Sequence, residues 1–595
     1  MQGFINGKPV EFQEDETILS VARRYDHFIP TLCELQDVDH TPGTCRVCLV
    51  EIRREGHDPD VVTSCNTPME EGMDVLTRTQ VVRDKQRLQV ELLLGDHDQD
   101  CATCVRHGKC ELQDIAQFVG LQHSRYGRRA YFSDRTRDES SVSVIRDMSK
   151  CIRCHRCVHV CRDVQGTDVL VLAEKGLDAE IGVRDSLALG TSECVSCGQC
   201  TLVCPTGALA EVDDTETVID YFYDPDVFTV VQMAPATRIA LGEEFYMPAG
   251  SNVEGKMITA LKQLGADVVL DTNFTADLVI MEEGTELLGR VKNGGTLPMI
   301  TSCSPGWVNY VEKNYPERLD HISTTKSPQQ CFGAIAKTYL AKKLGVDPAK
   351  MRVVSIMPCT AKKEEAKRPE MLRNGEPDVD VVLTTRECAR LMKREGVWLP
   401  DLESSKFDND WMGSYSGAAE IFGTTGGVME AAIRTVHYVV TGQELQGVIY
   451  EPIRGYENMR EATVDLGDLG PVKVCVAHGL KAAKKVMERI ESGEADWAFI
   501  EIMGCPGGCM GGGGQPRIKK SYQSFWHERQ DAIYEIDERC DVRQSHNNPL
   551  IKMIYDEFLG EPNGHKSHEL LHTSYRDRKQ VVHHTMKEIW DELKG

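Results

Sequence analysis

The sequence predicts a multidomain chain, with small α+β modules first and a larger α/β unit after them. Three observations predict it. At 595 residues the chain is too long for one hydrophobic core. Fifteen of its 23 cysteines fall before residue 205, in tight groups. From about residue 226, short apolar runs alternate with helical patterns. Charged residues are 27% and hydrophobic residues 41%, an ordinary globular composition. No apolar run approaches ~18 residues, so no membrane span is expected. The opening MQGFINGKPVEFQEDETILS has no basic n-region and no continuous apolar stretch. An export signal is therefore not expected, and the chain reads as cytoplasmic. A net charge of −24 argues against nucleic-acid binding; it suits solubility, or docking of a basic partner. In a reducing compartment, clustered cysteines mean metal rather than disulfides.

The first module, residues 1–78, carries Cys33, Cys45, Cys48 and Cys65. Strand-like GFINGKPVEF and helix-like TILSVARRYD precede them, and Gly43 opens a loop that can turn thiolates inward. The C-x2-C pair follows a gap of eleven residues rather than the plant-type four. A variant [2Fe–2S] site is expected, with a structural zinc as the alternative. The second module, 79–125, reads H-x3-C-x2-C-x5-C through His97, Cys101, Cys104 and Cys110. It predicts a [4Fe–4S] site in which imidazole replaces one thiolate and raises the potential. His107, inside the Cys104–Cys110 loop, is the weaker candidate. The third module, 126–212, holds CIRCHRCVHVC and CVSCGQCTLVCP, each C-x2-C-x2-C-x3-C. The rule for this run crosses the ligands. Cys151, Cys154 and Cys157 go with Cys204; Cys194, Cys197 and Cys200 go with Cys161. Four cluster sites make a wire, and a wire needs chemistry or a partner at its ends.

The larger unit, 213–535, is followed by a segment, 536–595, expected to pack on it. VFTVVQMAP, GTLPMITSC, RVVSIMPC and WAFIEIMGC each read as a buried strand running into a loop. Between two of them a helix is expected, with Ser327 as N-cap, Pro328 at N1 and Gly345 past its end. Ligand sites in such units lie at strand C-termini, so the TSC, MPC and GCPGGC loops should meet in one pocket. The glycine run could suggest a phosphate loop, but no Gly-Lys-Ser/Thr follows it. Cys331, Cys388, Cys475 and Cys540 lack partner spacing and read as small buried hydrophobes.

TSCSPGW, MPCTAKKEE and EIMGCPGGCMGGGGQP resemble the three signature loops of the [FeFe]-hydrogenases. FGTTGGVMEAAIR and PLIKMIYDEFLGEPNG also resemble that family, and the cysteine groups resemble its multi-cluster members. The resemblance implies a β-grasp [2Fe–2S] domain, a small His/Cys domain and a two-[4Fe–4S] ferredoxin domain. An α/β catalytic domain follows, holding the H-cluster. That cofactor is a cubane bridged by one cysteine to a di-iron unit with CO, cyanide and a dithiolate. The implied complement is one [2Fe–2S], three [4Fe–4S] and the H-cluster. Cys359, Cys505 and Cys509 would ligate the cubane, with Cys509 as bridge. Lys362 would hold a cyanide with Glu365 as its charge partner. Pro235, Met357 and Met503 would line the pocket. Gly507, Gly508 and glycines 511–514 would admit the cluster close to backbone.

Where the family usually has two adjacent cysteines, this chain has Cys303 and Ser304. Glu283 and Glu286, spaced i,i+3 on one helix face, and Ser323 fit the family's proton relay. That register makes Cys303 the relay thiol and leaves Ser304 at the ligand position. Either Ser304 ligates through oxygen, or the loop shifts and Cys303 is the ligand; a thiolate is the softer donor. The implied activity is reversible H2 oxidation and proton reduction. The Ser304 variant resembles the catalytic subunits of NAD(P)-linked, multi-subunit members. Implied partners are H2 and protons, a flavin- and NAD(P)-binding subunit, a small iron–sulfur subunit or ferredoxin, and maturation proteins. Rival readings are an electron-relay subunit of an NADH dehydrogenase-type complex and a non-catalytic H2 or redox sensor. The first gives no reason for the MPC and GCPGGC loops; losses in the relay would favour the second, and here the glutamates and Ser323 remain.

Overall fold

A computed structural model describes the chain except residues 41, 127–135, 446–452, 468–469, 519–520, 525 and 580–595. The start of the expected two-cluster module and the end of the expected C-terminal segment lie outside the described residues.

The first module is a five-stranded sheet in the order Lys8–Glu11, Gln2–Ile5, Asp74–Leu76, Leu49–Arg53, Asp60–Thr63. Only Gln2–Ile5 and Asp74–Leu76 pair in parallel. Helix Ile18–Arg24 crosses one face. Thr17 caps it by accepting from the Ser20 amide, and Ile18, Leu19, Val21 and Ala22 bury against Ile5, Val50, Ile52 and Val75. Helices Gln80–Gly95 and Glu111–Phe118 make the second module. Val90, Leu112 and Ile115 share one core with Cys33, Cys45 and Cys110, and with Ile152 and Cys154 of the third module. The front modules are therefore packed together.

The sequence duplication of the third module is visible in its backbone. Each C-x2-C run feeds a one-turn helix, Arg156–His159 or Gln199–Val203. Both helices start from a left-handed residue, His155 at φ 63° and Gly198 at φ 69°. The left-handed kink turns the chain so that successive thiols face the same space.

The larger unit contains two four-stranded sheets. One runs Val268–Asp271, Phe228–Met233, Met351–Met357, Val381–Thr384, all parallel. The other runs Met299–Ile300, Phe499–Met503, Pro471–His478, Met459–Asp465, with only the last strand antiparallel. The four apolar runs singled out in the sequence are strands in these two sheets, and each ends where its expected loop begins. Helix Thr272–Asn293 starts at Asp271, which accepts from the Asn273 amide, and is buried along most of its length. Each large apolar side chain it buries contributes about 1.5–3 kcal/mol.

The helix expected after Ser327 forms as Pro328–Ile335, continues through a wider turn Ala336–Leu340 and stops at Gly345, φ 68°. Ser327 does not cap it with its side chain. Ser327 is still the N-cap residue, its carbonyl accepting from Cys331 N–H at 2.9 Å, while its hydroxyl is turned to Glu365 and donates to Oε2 at 3.0 Å. Cys331, Cys388 and Cys475 are fully buried, whereas Cys540 is only half-buried, since it lies just past the end of helix Trp526–Arg539. Among the described residues no helix is long and apolar enough to cross a membrane.

Candidate active site

The two sheets aim the C-terminal ends of Phe228–Met233, Met299–Ile300, Met351–Met357 and Phe499–Met503 at one region. Pro235 opens a short buried helix after the first, with Ala234 N–H bonded to Ile356 O at 3.0 Å. Thr301–Ser304 follow the second, Pro358 and Cys359 the third, Gly504 and Cys505 the fourth. Direct bonds tie these loops together. The Gly504 amide donates to Ser304 Oγ at 2.9 Å. Lys362 Nζ donates to Cys303 O at 3.1 Å and to Glu365 Oε2 at 2.8 Å. The Gly514 amide donates to Pro358 O at 2.8 Å.

The thiols share one field. Burial and then the Cys359 charge push Cys509 up to about 12, and the same two causes raise Cys505. Cys303 is raised by burial and then by the charges of Glu283 and Cys509, with Lys362 opposing. Met503 is buried in the core against which Cys303 and Cys509 pack; Met357 is buried at the end of the Cys359 strand. Gly508, at φ 88°, lies so close to Thr425 that an added Cβ would meet its amide at 2.7 Å. Only glycine fits there, and the loop is drawn tight against helix Gly427–Thr441.

Glu283 and Glu286 point from helix Thr272–Asn293 toward this region. Ser302 Oγ donates to Glu283 Oε1 at 3.3 Å, and Glu283 Oε2 is buried without a partner. Burial, then the charge of Glu286, hold Glu283 up at about 7. Ser323 Oγ donates to Glu286 Oε2 at 2.9 Å, and Arg290 pairs with Glu286 at 2.6 Å near the surface. Sequence reasoning missed Ser302, Arg290 and a branch: Thr324 Oγ1 lies 3.3 Å from Glu286 and 2.8 Å from His572 Nδ1. It also missed Glu501, which accepts from the amides of Gly426 and Met429, and His478, which accepts from Gly507 N–H at 3.0 Å. Ser302 and Glu501 lay inside quoted motifs without being singled out; the others carry no spacing signal.

The front cysteines group as follows. Cys48 and Cys65 sulfurs are 3.3 Å apart, and Cys33 is tied to Cys45 and Cys65 by side-chain hydrogen bonds. His97 is 5% exposed with Nδ1 unpartnered, and burial lowers it to about 4, so its imidazole is neutral. His107 is exposed and bonded to Cys101 O. Cys151, Cys154, Cys157 and Cys204 line one cavity. The charges of Cys194, Cys197 and Cys161 all act on Cys200. Among the described residues no three His, Cys, Asp or Glu side chains close tightly enough for a single metal ion. A cluster instead distributes its thiolates over several irons. Soft donors, an unpartnered imidazole nitrogen and glycine-bared backbone fit iron–sulfur groups.

The groups are not in single file. Cys197 lies on the active-site side, where burial and then the Cys505 charge raise it and Gln199 Nε2 donates to Gly511 O at 2.8 Å. The set around Cys154 abuts both the first group, through Thr44 Oγ1 at 3.4 Å from Cys154 O, and the second, through Cys110 beside Pro205. The Cys154 set thus adjoins both front groups.

Comparison with known proteins decides the family. Residues 227–513 match the iron only hydrogenase large subunit, C-terminal domain. NADP-reducing hydrogenase subunit HndD of Solidesulfovibrio fructosivorans is 44% identical, across 97% of this chain and 99% of that one. The chain belongs to the [FeFe]-hydrogenase family. Iron hydrogenase 1 of Clostridium pasteurianum is 38% identical, across 96% of this chain and 99% of that one. The apo [FeFe]-hydrogenase of Chlamydomonas reinhardtii aligns with TM-score 0.55 and 38% identity, covering 62% of this chain and 99% of its own. Residues 2–80 match a 2Fe-2S iron-sulfur cluster binding domain and 86–125 the NADH-ubiquinone oxidoreductase-G iron-sulfur binding region. Residues 150–208 match a 4Fe-4S dicluster domain and 523–578 the iron hydrogenase small subunit. This [FeFe]-hydrogenase is thus an oxidoreductase with iron–sulfur modules ahead of its catalytic domain, and it carries a small-subunit-like segment in the same chain.

Proposed function

We propose that this hydrogenase splits and forms H2 heterolytically at an H-cluster held by the TSC, MPC and GCPGGC loops, as the hydrogen-activating subunit of an NAD(P)-linked complex. The observation that carries the reading is the convergence of Cys303–Ser304, Cys359 and Cys505–Cys509 beside Glu283. Cys359, Cys505 and Cys509 would hold the cubane, with Cys509 shared with the di-iron unit, and Ser304 Oγ would take the fourth position. Its bond from the Gly504 amide supports that role, since the oxygen is used as an acceptor. When bound, the H-cluster supplies an open iron site for H2 and a basic bridge for the proton.

The protein supplies the path for that proton. Cys303 keeps a neutral thiol near the pocket, which gives its own proton to Glu283 as it takes up the new one. Glu283 takes it next, at a carboxyl poised near neutral pH. Ser323 then passes it to Glu286, which stands near the surface with Arg290. Lys362, held by Glu365, presents a cation to an anionic ligand of the di-iron unit. Met357, Met503 and Pro235 keep water out, and Gly507 and Gly508 let amides approach.

The same reading gives one [2Fe–2S] on Cys33, Cys45, Cys48 and Cys65, in a β-grasp module over 1–78. It gives a [4Fe–4S] on His97, Cys101, Cys104 and Cys110 over 79–125, and two more on the crossed cysteines over 126–212. Catalysis falls to 213–535, with 536–595 packed on it. With clusters bound, the Cys194 set would stand between the cubane ligands and the Cys151 set, which adjoins the other two groups. The match of 86–125 to an NADH-ubiquinone oxidoreductase region and the name of the 44% relative support a flavin- and NAD(P)-binding partner and a small iron–sulfur partner. Dedicated maturation proteins install the di-iron unit. H2-dependent viologen reduction by the cluster-loaded chain tests the reading. Turnover is expected; clusters without turnover would leave a relay subunit or a sensor.

A further inference from the structure

A cavity of about 580 Å³ opens between the His97 module and the catalytic unit, and nothing in the hydrogen chemistry uses it. Small-molecule sites commonly span ~300–1,000 Å³. The chain carries −24 overall, yet this cavity is lined by Arg106, Lys109, Arg386, Arg390, Lys393 and Arg517. The acidic residues around it are shared or already engaged. Glu244 lies 2.5 Å from Lys109 and 3.7 Å from Lys393. Glu211, buried behind the wall, is divided among Arg386, Arg390 and Arg517 at 2.7, 3.2 and 3.4 Å. Glu243 pairs with Arg529 at 2.8 Å.

Two guanidinium groups keep unused donors. Arg106 is 2% exposed, its Nε has no hydrogen-bond partner, and its nearest carboxylate, Glu111, is 3.9 Å away. Arg390 Nη2 is likewise buried and unpartnered, although Arg390 Nε has Asp213 at 3.2 Å. Burial and the neighbouring Lys109 charge push Lys393 down to about 8, a sign of crowded cations. Buried donors left unmade cost free energy that an anion from solution would relieve.

Two aromatic rings also line the cavity. Tyr246 is 78% exposed and Trp398 is 44% exposed, both on this cavity. Tyr246 is a non-glycine residue in the left-handed region, φ 64°, which displays its ring at a helix end. Lys109 Nζ lies 5.6 Å from that ring. Bare inorganic anions would use the cations and leave both rings in water.

We infer that this cavity binds a nucleotide, with its phosphates on Arg106, Arg390, Lys393 and Arg517 and its base against Tyr246 and Trp398. The inference is independent of the hydrogen chemistry, since none of these residues belongs to the relay or holds a cluster. Anaerobic calorimetry on the cluster-loaded, full-length chain tests it, with ADP, inorganic pyrophosphate and adenosine as probes. ADP is expected to bind saturably at one site, about tenfold or more tighter than either fragment. Arg390→Gln and Lys393→Gln are each expected to weaken ADP about tenfold with cluster EPR unchanged. Trp398→Leu is expected to weaken ADP and leave pyrophosphate unaltered. No saturable ADP binding, or pyrophosphate binding as tightly as ADP, overturns the inference. Should Arg390→Gln lose its clusters, Lys393→Gln decides: undiminished ADP affinity there overturns it.

Discussion

Glu283 is held protonated by two causes acting in the same direction. It is fully buried, and Glu286 sits one turn away with its own charge. The carboxyl is neutral below about pH 7 and ionised above it. H2 oxidation needs the ionised form to accept a proton from Cys303, so its rate should rise as pH passes through about 7. Proton reduction should fall over the same window. Glu283→Gln should suppress turnover by about 10²-fold or more, abolish that limb and leave cluster spectra intact. Steady-state assays across pH check this; unchanged turnover would remove Glu283 from the path. Its position was legible because TSC and the i,i+3 glutamates stood in recognisable order. Ser302, Thr324 and His572 were not legible, because hydrogen-bond partners brought together by folding leave no sequence interval to read.

At the scale of elements, a strand's end decides where a loop goes, and a helix decides how tightly it stays. The four apolar runs were readable because buried parallel strands are continuous hydrophobic stretches. Ser327 is the N-cap residue as the sequence suggested, with Pro328 at N1, but its side chain turns to a tertiary partner, Glu365, which no local pattern could show. Gly508→Ala should force the GCPGGC loop off Thr425 and helix Gly427–Thr441, since φ 88° and the 2.7 Å approach are both denied to alanine. The expected result is retained far-ultraviolet circular dichroism with loss of CO and cyanide infrared bands. Arg434, on the same helix, pairs with Glu430 at 2.6 Å and with Asp537 of helix Trp526–Arg539 at 2.9 Å, all fully buried. Arg434→Ala leaves Glu430 on Arg454 and Asp537 on Arg543, and by removing the fully buried cation between them should cost about 1.5–3 kcal/mol. Denaturant unfolding of the catalytic unit measures it, and a loss under about 1 kcal/mol would show that the pair is hydrated.

At the scale of the molecule, the order of modules was legible, while the adjacency of the cysteine groups was not. Cysteine spacing suggests which sulfurs could share a cluster but not which groups touch, because those contacts join modules far apart in the chain, as Thr44 and Cys154 do. His97 brings a buried, neutral imidazole to the second module. His97→Cys should keep a cluster there and lower its potential, because a thiolate adds negative charge where imidazole adds none. EPR-monitored redox titration reads that shift, and an unmoved potential would take His97 out of the ligand set.

The central claim is that distant loops build one iron site fed by separate front modules. Infrared and EPR spectra of the matured Cys359→Ala chain test it most directly. The account predicts that the CO and cyanide bands vanish while the signals of the N-terminal clusters persist. Bands that survive the substitution would contradict it.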